Sequence, residues 1–121
     1  MIKLGDFGLA EQIEHCCSKL NNQCGTLCYS APEVFDDKRE RKSDVWSLGI
    51  SLIELAQGKN PYDGFSEKKT MKEICLGGIP SLSSSEGSGP FIGFISKCLV
   101  RDVKERPSVE ELMTVTACEC V

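Results

Sequence analysis

Apolar residues recur at helical spacing in four stretches of the chain. From Ser43 to Gly58, the residues Val45, Trp46, Leu48, Ile50, Leu52, Ile53, Leu55 and Ala56 cover roughly 220° of a wheel turning about 100° per residue, well beyond the ~100° stripe of a surface helix. Such a helix has to be packed on most sides, which makes it the axis of the core. Ser43 is placed to cap it, Asp44 sits in the first turn where the dipole favours an anion, and Gly58 suits a left-handed stop. Ser66 to Leu76 reads as a weaker helix with Met71, Ile74 and Cys75 on one face, ended by Gly77-Gly78. Pro90 opens a third helix at a position needing no amide hydrogen, followed at helical spacing by Phe91, Phe94, Ile95, Cys98 and Leu99. A fourth begins at Ser108, where Glu111 completes a capping box and Val109, Leu112, Met113 and Thr116 make the inward stripe.

The rest of the pattern is less regular. Ile2 to Leu4 reads as a short strand ended by Gly5. No period persists from Leu9 to Ser30, and so long a loop in a compact domain calls for a function or for disorder. The Ser/Gly-rich stretch from Ser81 to Gly89 predicts a flexible connection. The fold class expected is mainly α with one strand at the start, and no internal repeat is found.

At 121 residues and 40% apolar content the chain can build one core, as one domain or a piece of one. Its 14 basic and 18 acidic residues give a formal net charge of −4, which argues against nucleic-acid or anionic-membrane partners because phosphate binding needs clustered cations. No apolar run reaches the ~18 residues of a spanning helix, and the start lacks the apolar core of a signal peptide. A cytoplasmic location is the expectation. Eight cysteines are then read as free thiols, since disulfides belong to oxidising compartments. Cys24 and Cys28, with His15, Cys16 and Cys17 close by, could imitate a zinc cluster, although the adjacent Cys pair lacks finger spacing and Cys75, Cys98, Cys118 and Cys120 sit in unrelated segments.

Asp6-Phe7-Gly8 after a strand is a weak signal by itself. It is followed by Gly25-Thr26-Leu27-Cys28-Tyr29-Ser30-Ala31-Pro32-Glu33, by Lys42-Ser43-Asp44-Val45-Trp46-Ser47-Leu48-Gly49, and by Lys104-Glu105-Arg106-Pro107. In this order and spacing the set resembles the C-terminal lobe of a eukaryotic protein kinase domain, truncated before the catalytic loop. The resemblance covers essentially the whole chain, with residues 1–8 as strand and metal motif, 9–33 as activation segment and 34–121 as helical lobe. The phrase from Ser43 through Asn60-Pro61-Tyr62 is most similar to the MAP-kinase-kinase group and its upstream relatives.

The resemblance implies a Ser/Thr protein kinase that moves the γ-phosphoryl group of ATP onto protein hydroxyls. Asp6 would be the metal ligand, a hard oxygen of the kind Mg²⁺ takes; Gly5 and Phe7 would complete the cofactor-binding motif, Phe7 setting the direction of Asp6. Thr26 would lie beneath the acceptor hydroxyl as a catalytic residue, and Leu27 to Ser30 would shape the pocket next to it. Read without the resemblance, Asp6 merely begins a tight turn with Gly8 and Thr26 is a solvated loop hydroxyl. Asn22 stands where many relatives carry a phosphorylatable residue, leaving Ser18, Thr26 or Tyr29 for any phosphate switch. Glu33 and Arg106 match an acid and an arginine that pair; otherwise they are two surface charges worth little.

Half of the expected machinery is not in the sequence: no Gly-rich loop, no strand lysine with its helix glutamate, no His-Arg-Asp loop. A lone carboxylate cannot align Mg-ATP, so no activity is expected of the chain by itself, and the missing N-terminal half of the domain joins the protein substrate among its expected partners. Met1 falls inside a strand, which points to an internal Met of a longer reading frame, a gene fragment or an incomplete gene model. With that half gone, part of the Trp46 helix should be bare, giving marginal stability or association through that face. Asp44, which in the family accepts amide hydrogens from the missing loop, would lose those donors. The rival reading is a non-catalytic module whose helices 66–76 and 90–99 dock substrates or regulators.

Overall fold

The computed structural model describes residues 3, 5 and 27–119, with side chains through Thr114. The expected strand at Ile2 to Leu4 and most of the long loop, through Thr26, lie outside the described residues, as do His15, Cys16, Cys17, Cys24 and Cys120. Within them, two 3-10 turns (Leu27–Tyr29 and Pro32–Asp36) lead into four helices: α1 (Ser43–Gln57), α2 (Glu67–Leu76), α3 (Gly89–Cys98) and α4 (Val109–Glu119). No strand occurs among the described residues.

Helix α1 is the axis that its apolar content requires. Val45, Trp46, Ile50 and Ile53 are all but fully buried, and Gly58 ends the helix at φ 80° with its N–H on the Glu54 carbonyl at 2.8 Å. Its buried arc is narrower than the sequence suggests. Leu48 is 42% and Leu55 79% exposed, and Ala56 is exposed too, because no described element covers that side. Asp44 and Ser51 are exposed and fall on the same stripe, at spacings of three and four residues from these leucines.

Ser43 does not cap α1, contrary to expectation. Lys42 holds the cap position, and Ser43 is drawn into a buried polar network instead: its Oγ accepts from the Glu40 N–H at 3.0 Å and donates to Glu33 Oε2 at 2.7 Å.

The other helices are placed by caps and by one close approach. Ser66 caps α2, accepting from the Lys69 N–H at 3.2 Å. Thr70 and Ile74 face inward there, while Met71 points outward rather than into the core. At the far end Gly77 has φ −82°, so no left-handed stop forms; Arg101 supplies the missing donors, from Nε to Ile74 O at 3.0 Å and from Nη2 to Gly77 O at 2.6 Å. Ser88 caps α3 by accepting from the Phe91 N–H, with Pro90 in the first turn. Helix α3 lies so close to α1 that a Cβ on Gly49 would stand 2.8 Å from Leu99 Cδ2 and 2.9 Å from Cys98 Cβ. Only glycine fits that contact without a shift.

Ser108 takes the Glu111 N–H at 3.2 Å at the start of α4. Of the expected inward stripe, Leu112 is buried against Val45 and Cys98, whereas Val109 and Met113 are exposed and the Thr116 side chain lies outside the described residues. The stretch from Ser81 to Gly89 is tied down rather than loose: Leu82 enters the main core with Trp46, Ile50 and Ile95, and Glu86 accepts from the Ser83 N–H and hydroxyl at 3.0 and 2.7 Å. Among the described cysteines Cys28, Cys75 and Cys98 are free thiols; burial pushes Cys98 up to about 11, against the partial pull of Arg106.

One ion pair ties the 3-10 turns to this helical body. Arg106, with no exposed surface, donates from Nη1 to Glu33 Oε2 at 2.8 Å and from Nη2 to Glu33 Oε1 at 3.0 Å, across 73 positions of sequence. Its remaining donors reach the carbonyls of Val100 (2.8 Å), Lys42 (2.8 Å) and Arg101 (3.4 Å), and its guanidinium lies 5.4 Å from the Trp46 ring. The five N–H groups of an arginine thus find five acceptors, and the forked geometry is one that lysine cannot copy.

Burial would raise the Glu33 pKa, but the bonds from Arg106 and Ser43 outweigh it and hold the carboxyl below its ordinary 4.5. A depressed carboxylate stabilises the fold fully above its unfolded pKa and loses that contribution as pH falls through the folded value. In urea unfolding, Glu33→Ala and Arg106→Ala should each cost about 3–5 kcal/mol because each strands a buried charge. Arg106→Lys should also destabilise, the double Ala variant should cost clearly less than the sum, and the Glu33-dependent part should shrink progressively as pH falls below the ordinary carboxylate value of 4.5. Simple additivity of the two Ala variants would refute the pair.

Candidate functional site

The two 3-10 turns form a shelf on the body, and each of its residues is held for a local reason. Ala31, extended at ψ 156°, lets Pro32 open the second turn, and that turn closes on Asp37 at φ 55°, whose N–H reaches the carbonyls of Glu33 and Val34. Ala31 and Val34 are buried in the main core. Glu33, between them, is the anchor on Arg106.

The first turn is fixed to α1 through Tyr29. Its hydroxyl donates to Glu54 Oε2 at 2.5 Å, and its carbonyl accepts from Ser47 Oγ at 2.7 Å. The Glu54 carboxylate holds the Tyr29 phenol above its ordinary pKa of 10, with burial adding to the effect and the nearby Asn60 amide pulling the other way. Tyr62 is pushed up to about 12, chiefly by burial.

Two hollows open against the connection from α1 to α2. One, of about 230 Å³, lies between Leu27–Cys28 and the connection from α1 to α2, with Tyr62, Asp63, Phe65 and Glu67 on its far side. The other, of about 460 Å³, lies under the same connection and includes Ile53, Lys59, Pro80 and Ser81. Asn60 stands in the wall of both: its Oδ1 accepts from the Tyr62 N–H at 2.9 Å, and its Nδ2 is buried with no partner in hydrogen-bonding geometry. The Cys28 thiol is raised above its ordinary value by burial and by the charges of Glu54 and Asp63.

Of the residues that the sequence nominates, Asp6, Phe7 and Thr26 lie outside the described residues, as does Ser18. Gly5 is exposed, with open space where a Cβ would stand. Leu27 to Ser30 are half-buried and Leu27 and Cys28 line the smaller hollow, while Tyr29 has its hydroxyl committed to Glu54. No group of three or more His, Cys, Asp or Glu residues that could hold a metal ion comes together among the described residues, and none of their helices is long and apolar enough to cross a membrane.

Ser47, Glu54 and Asn60 were not nominated by the sequence. Glu54 had a signal, a charge inside the apolar run Leu52-Ile53-Glu54-Leu55, whereas Asn60 looks like an ordinary turn residue.

A protein kinase domain family model matches residues 1–116, which spans the shelf, α1 to α3 and most of α4. The chain belongs to the protein kinase domain family. It is 41% identical over 114 residues to the serine/threonine-protein kinase dst1 of Dictyostelium discoideum, covering 93% of this chain and 16% of that protein. With the serine/threonine-protein kinase ppk11 of Schizosaccharomyces pombe it shares 39% over 113 residues (93% and 36%), and with serine/threonine-protein kinase 1 of Arabidopsis thaliana 38% over 114 residues (93% and 14%). The chain therefore spans between about a seventh and about a third of these relatives' lengths.

In this kinase-domain chain the two tyrosines, Tyr29 and Tyr62, are both held above the ordinary phenol range, so ultraviolet titration of the folded chain should show less than half of the tyrosinate signal at pH 10. A raised phenol pKa stabilises the fold at lower pH and loses that contribution as pH rises through the folded value. Tyr29→Phe should cost about 0.5–1.5 kcal/mol by removing the bond to Glu54, and should leave only the Tyr62 transition near pH 12. A normal transition at pH 10 in the wild type would contradict the Tyr29–Glu54 bond.

Proposed function

We propose that this chain is the C-terminal lobe of a serine/threonine protein kinase, whose complete domain transfers the γ-phosphoryl group of ATP to Ser or Thr hydroxyls of protein substrates in the cytoplasm. The observation that carries the reading is the buried Glu33–Arg106 pair, which fixes the end of the segment carrying Thr26 to the helical body. Phosphoryl transfer asks a protein mainly for positioning and charge stabilisation, and a pinned shelf beside an open hollow is a support for an acceptor-bearing segment. Relatives named serine/threonine kinases support the acceptor class. The finer assignment to the MAP-kinase-kinase group and its upstream relatives rests on the phrase from Ser43 through Tyr62.

Asp6 has the oxygen chemistry that Mg²⁺ takes, with Gly5 and Phe7 beside it in sequence, and Thr26 has the hydroxyl to steady an acceptor. One carboxylate is not a metal–nucleotide site, however, and the described residues assemble no cluster to complete it. ATP and Mg²⁺ are therefore assigned to the complete domain, and the chain by itself should be inactive.

A second reading, a non-catalytic docking module, draws on α2, where Met71 is 43% and Leu76 79% exposed. The two are separable. Joined at its N-terminus to the front half of a relative's kinase domain, and shown to unfold cooperatively, the chain should phosphorylate a generic protein substrate on Ser and Thr. Asp6→Ala should abolish the transfer, and the unjoined chain should show none. A folded chimera no more active than its Asp6→Ala variant would overturn the kinase reading in favour of the docking module.

A further inference from the structure

Between α2 and α3 the chain carries a run of hydroxyls with one charge in it. Ser83, Ser84, Ser85 and Glu86 are all exposed, and Glu86 is the one charged residue from Ile74 to Ser96. The run folds into a turn in which the Glu86 N–H donates to the Ser83 carbonyl at 3.0 Å. Glu86 Oε1 in return accepts from the Ser83 N–H at 3.0 Å and from Ser83 Oγ at 2.7 Å, and Ser83 Oγ lies 2.9 Å from Ser85 Oγ. The Ser83 N–H, the Ser83 hydroxyl and the Gln57 amide hold the Glu86 carboxyl below its ordinary range. Gln57 is the last residue of α1, so a single carboxylate both closes the turn and ties it to the core helix.

The turn is anchored on each side. Leu82 lies in the main core, and Gly87 packs so closely that a Cβ there would stand 2.9 Å from Phe91 Cδ1. Between these anchors the bonds converge on Glu86. Ser66, Ser88 and Ser108 are occupied as helix caps, and Ser43 and Ser47 are engaged with Glu33 and Tyr29. The Ser83 hydroxyl differs from these in being exposed, in a turn and side by side with a carboxylate.

An enzyme that recognises an acceptor by a neighbouring charge finds only an anion in this stretch. Its basic groups would draw the Glu86 carboxylate to themselves and leave the Ser83 hydroxyl free to react. Once phosphorylated, Ser83 cannot take Glu86 back, because the hydroxyl proton that made the bond is gone and a charge of roughly −1.5 to −2 faces the carboxylate.

We propose that Ser83 is a phosphorylation site for a separate, acid-directed protein kinase, and that the phosphate opens the 83–86 turn and releases it from the end of α1. The phosphoryl donor is a nucleoside triphosphate. A base on the modifying enzyme takes the Ser83 hydroxyl proton, Oγ bonds to the γ-phosphorus, the bond from that phosphorus to the β–γ bridging oxygen breaks, and the nucleoside diphosphate leaves. With Leu82 and Gly87 still packed, the release is confined to the turn. Gln57 and Ser81 line the larger hollow, so that wall is loosened with it. The inference stands apart from this chain's own reading as part of a kinase.

The test treats the 121-residue chain with ATP and a purified acid-directed serine kinase, in parallel with a base-directed one, and locates phosphate by peptide mass spectrometry. The acid-directed enzyme should modify Ser83, and the base-directed enzyme nothing between Ser81 and Ser88. Glu86→Gln keeps side-chain size without the charge and should slow the modification about tenfold, the loss for one hydrogen bond to a charged group; Ser83→Ala should abolish it. Both substitutions are at exposed positions, so the variants should match the wild type in circular dichroism. In the phosphorylated chain the Ser83 and Glu86 amides should exchange hydrogen up to about tenfold faster, as expected for one lost bond each, with the Val34 and Leu99 amides unchanged. Phosphate on Ser81, Ser84 or Ser85 with Ser83 untouched, no phosphate on a folded chain, or equal rates for Glu86→Gln and the wild type overturns the site. Phosphorylated Ser83 with unchanged exchange at its own amide and that of Glu86 overturns the opening of the turn.

Discussion

Arg106 has no surface in contact with solvent, and each of its five N–H groups is matched to an oxygen, two on Glu33 and one each on Lys42, Val100 and Arg101. A guanidinium tolerates burial only on those terms, because an unpaired buried charge costs several kcal/mol. The acceptors come from the shelf, from the residue before α1 and from the loop between α3 and α4. Satisfying one side chain therefore fixes the relative positions of three parts of the chain, and Ser43 closes the network from the start of α1.

The shelf inherits its shape from that constraint. With Glu33 fixed, Ala31 and Val34 on either side drop into the core and Tyr29 is carried to the flank of α1, where Glu54 and Ser47 take its hydroxyl and carbonyl. The hollow next to Leu27 and Cys28 is what remains between a shelf held by charge and a connection held by Asn60. Its walls are set by packing and its acidic mouth by residues free to stay in water, so floor and rim can differ in chemistry.

Much of this was legible beforehand. The four helices, the stop at Gly58, the cap at Ser108 and the pairing of Glu33 with Arg106 follow from periodicity, capping chemistry and motif order. The misreadings share one cause. Met71, Val109 and Met113 are apolar at helical spacing and yet exposed, and Ser43 has the chemistry of a cap yet serves Glu33 instead. Periodicity says which residues share a face, but how much of the face is covered depends on the neighbour. Likewise Ser81 to Gly89 has the composition of a loose linker, and only the arrival of Leu82 in the core and Glu86 on Ser83 ties it down.

Local chemistry, then, determined the helices, some of their ends and the family, because propensity, capping and motif order act over short stretches or repeat in a fixed order. Distance in sequence is where that reach ended. That Glu54 would receive the Tyr29 hydroxyl, that Gly49 would let α3 approach α1, that Arg101 would close the end of α2, and that Asn60 would stand in the wall of an acid-rimmed hollow were decided by the packed chain alone. Each of these depends on which surfaces meet, and a donor learns its acceptor only when the fold brings the two together.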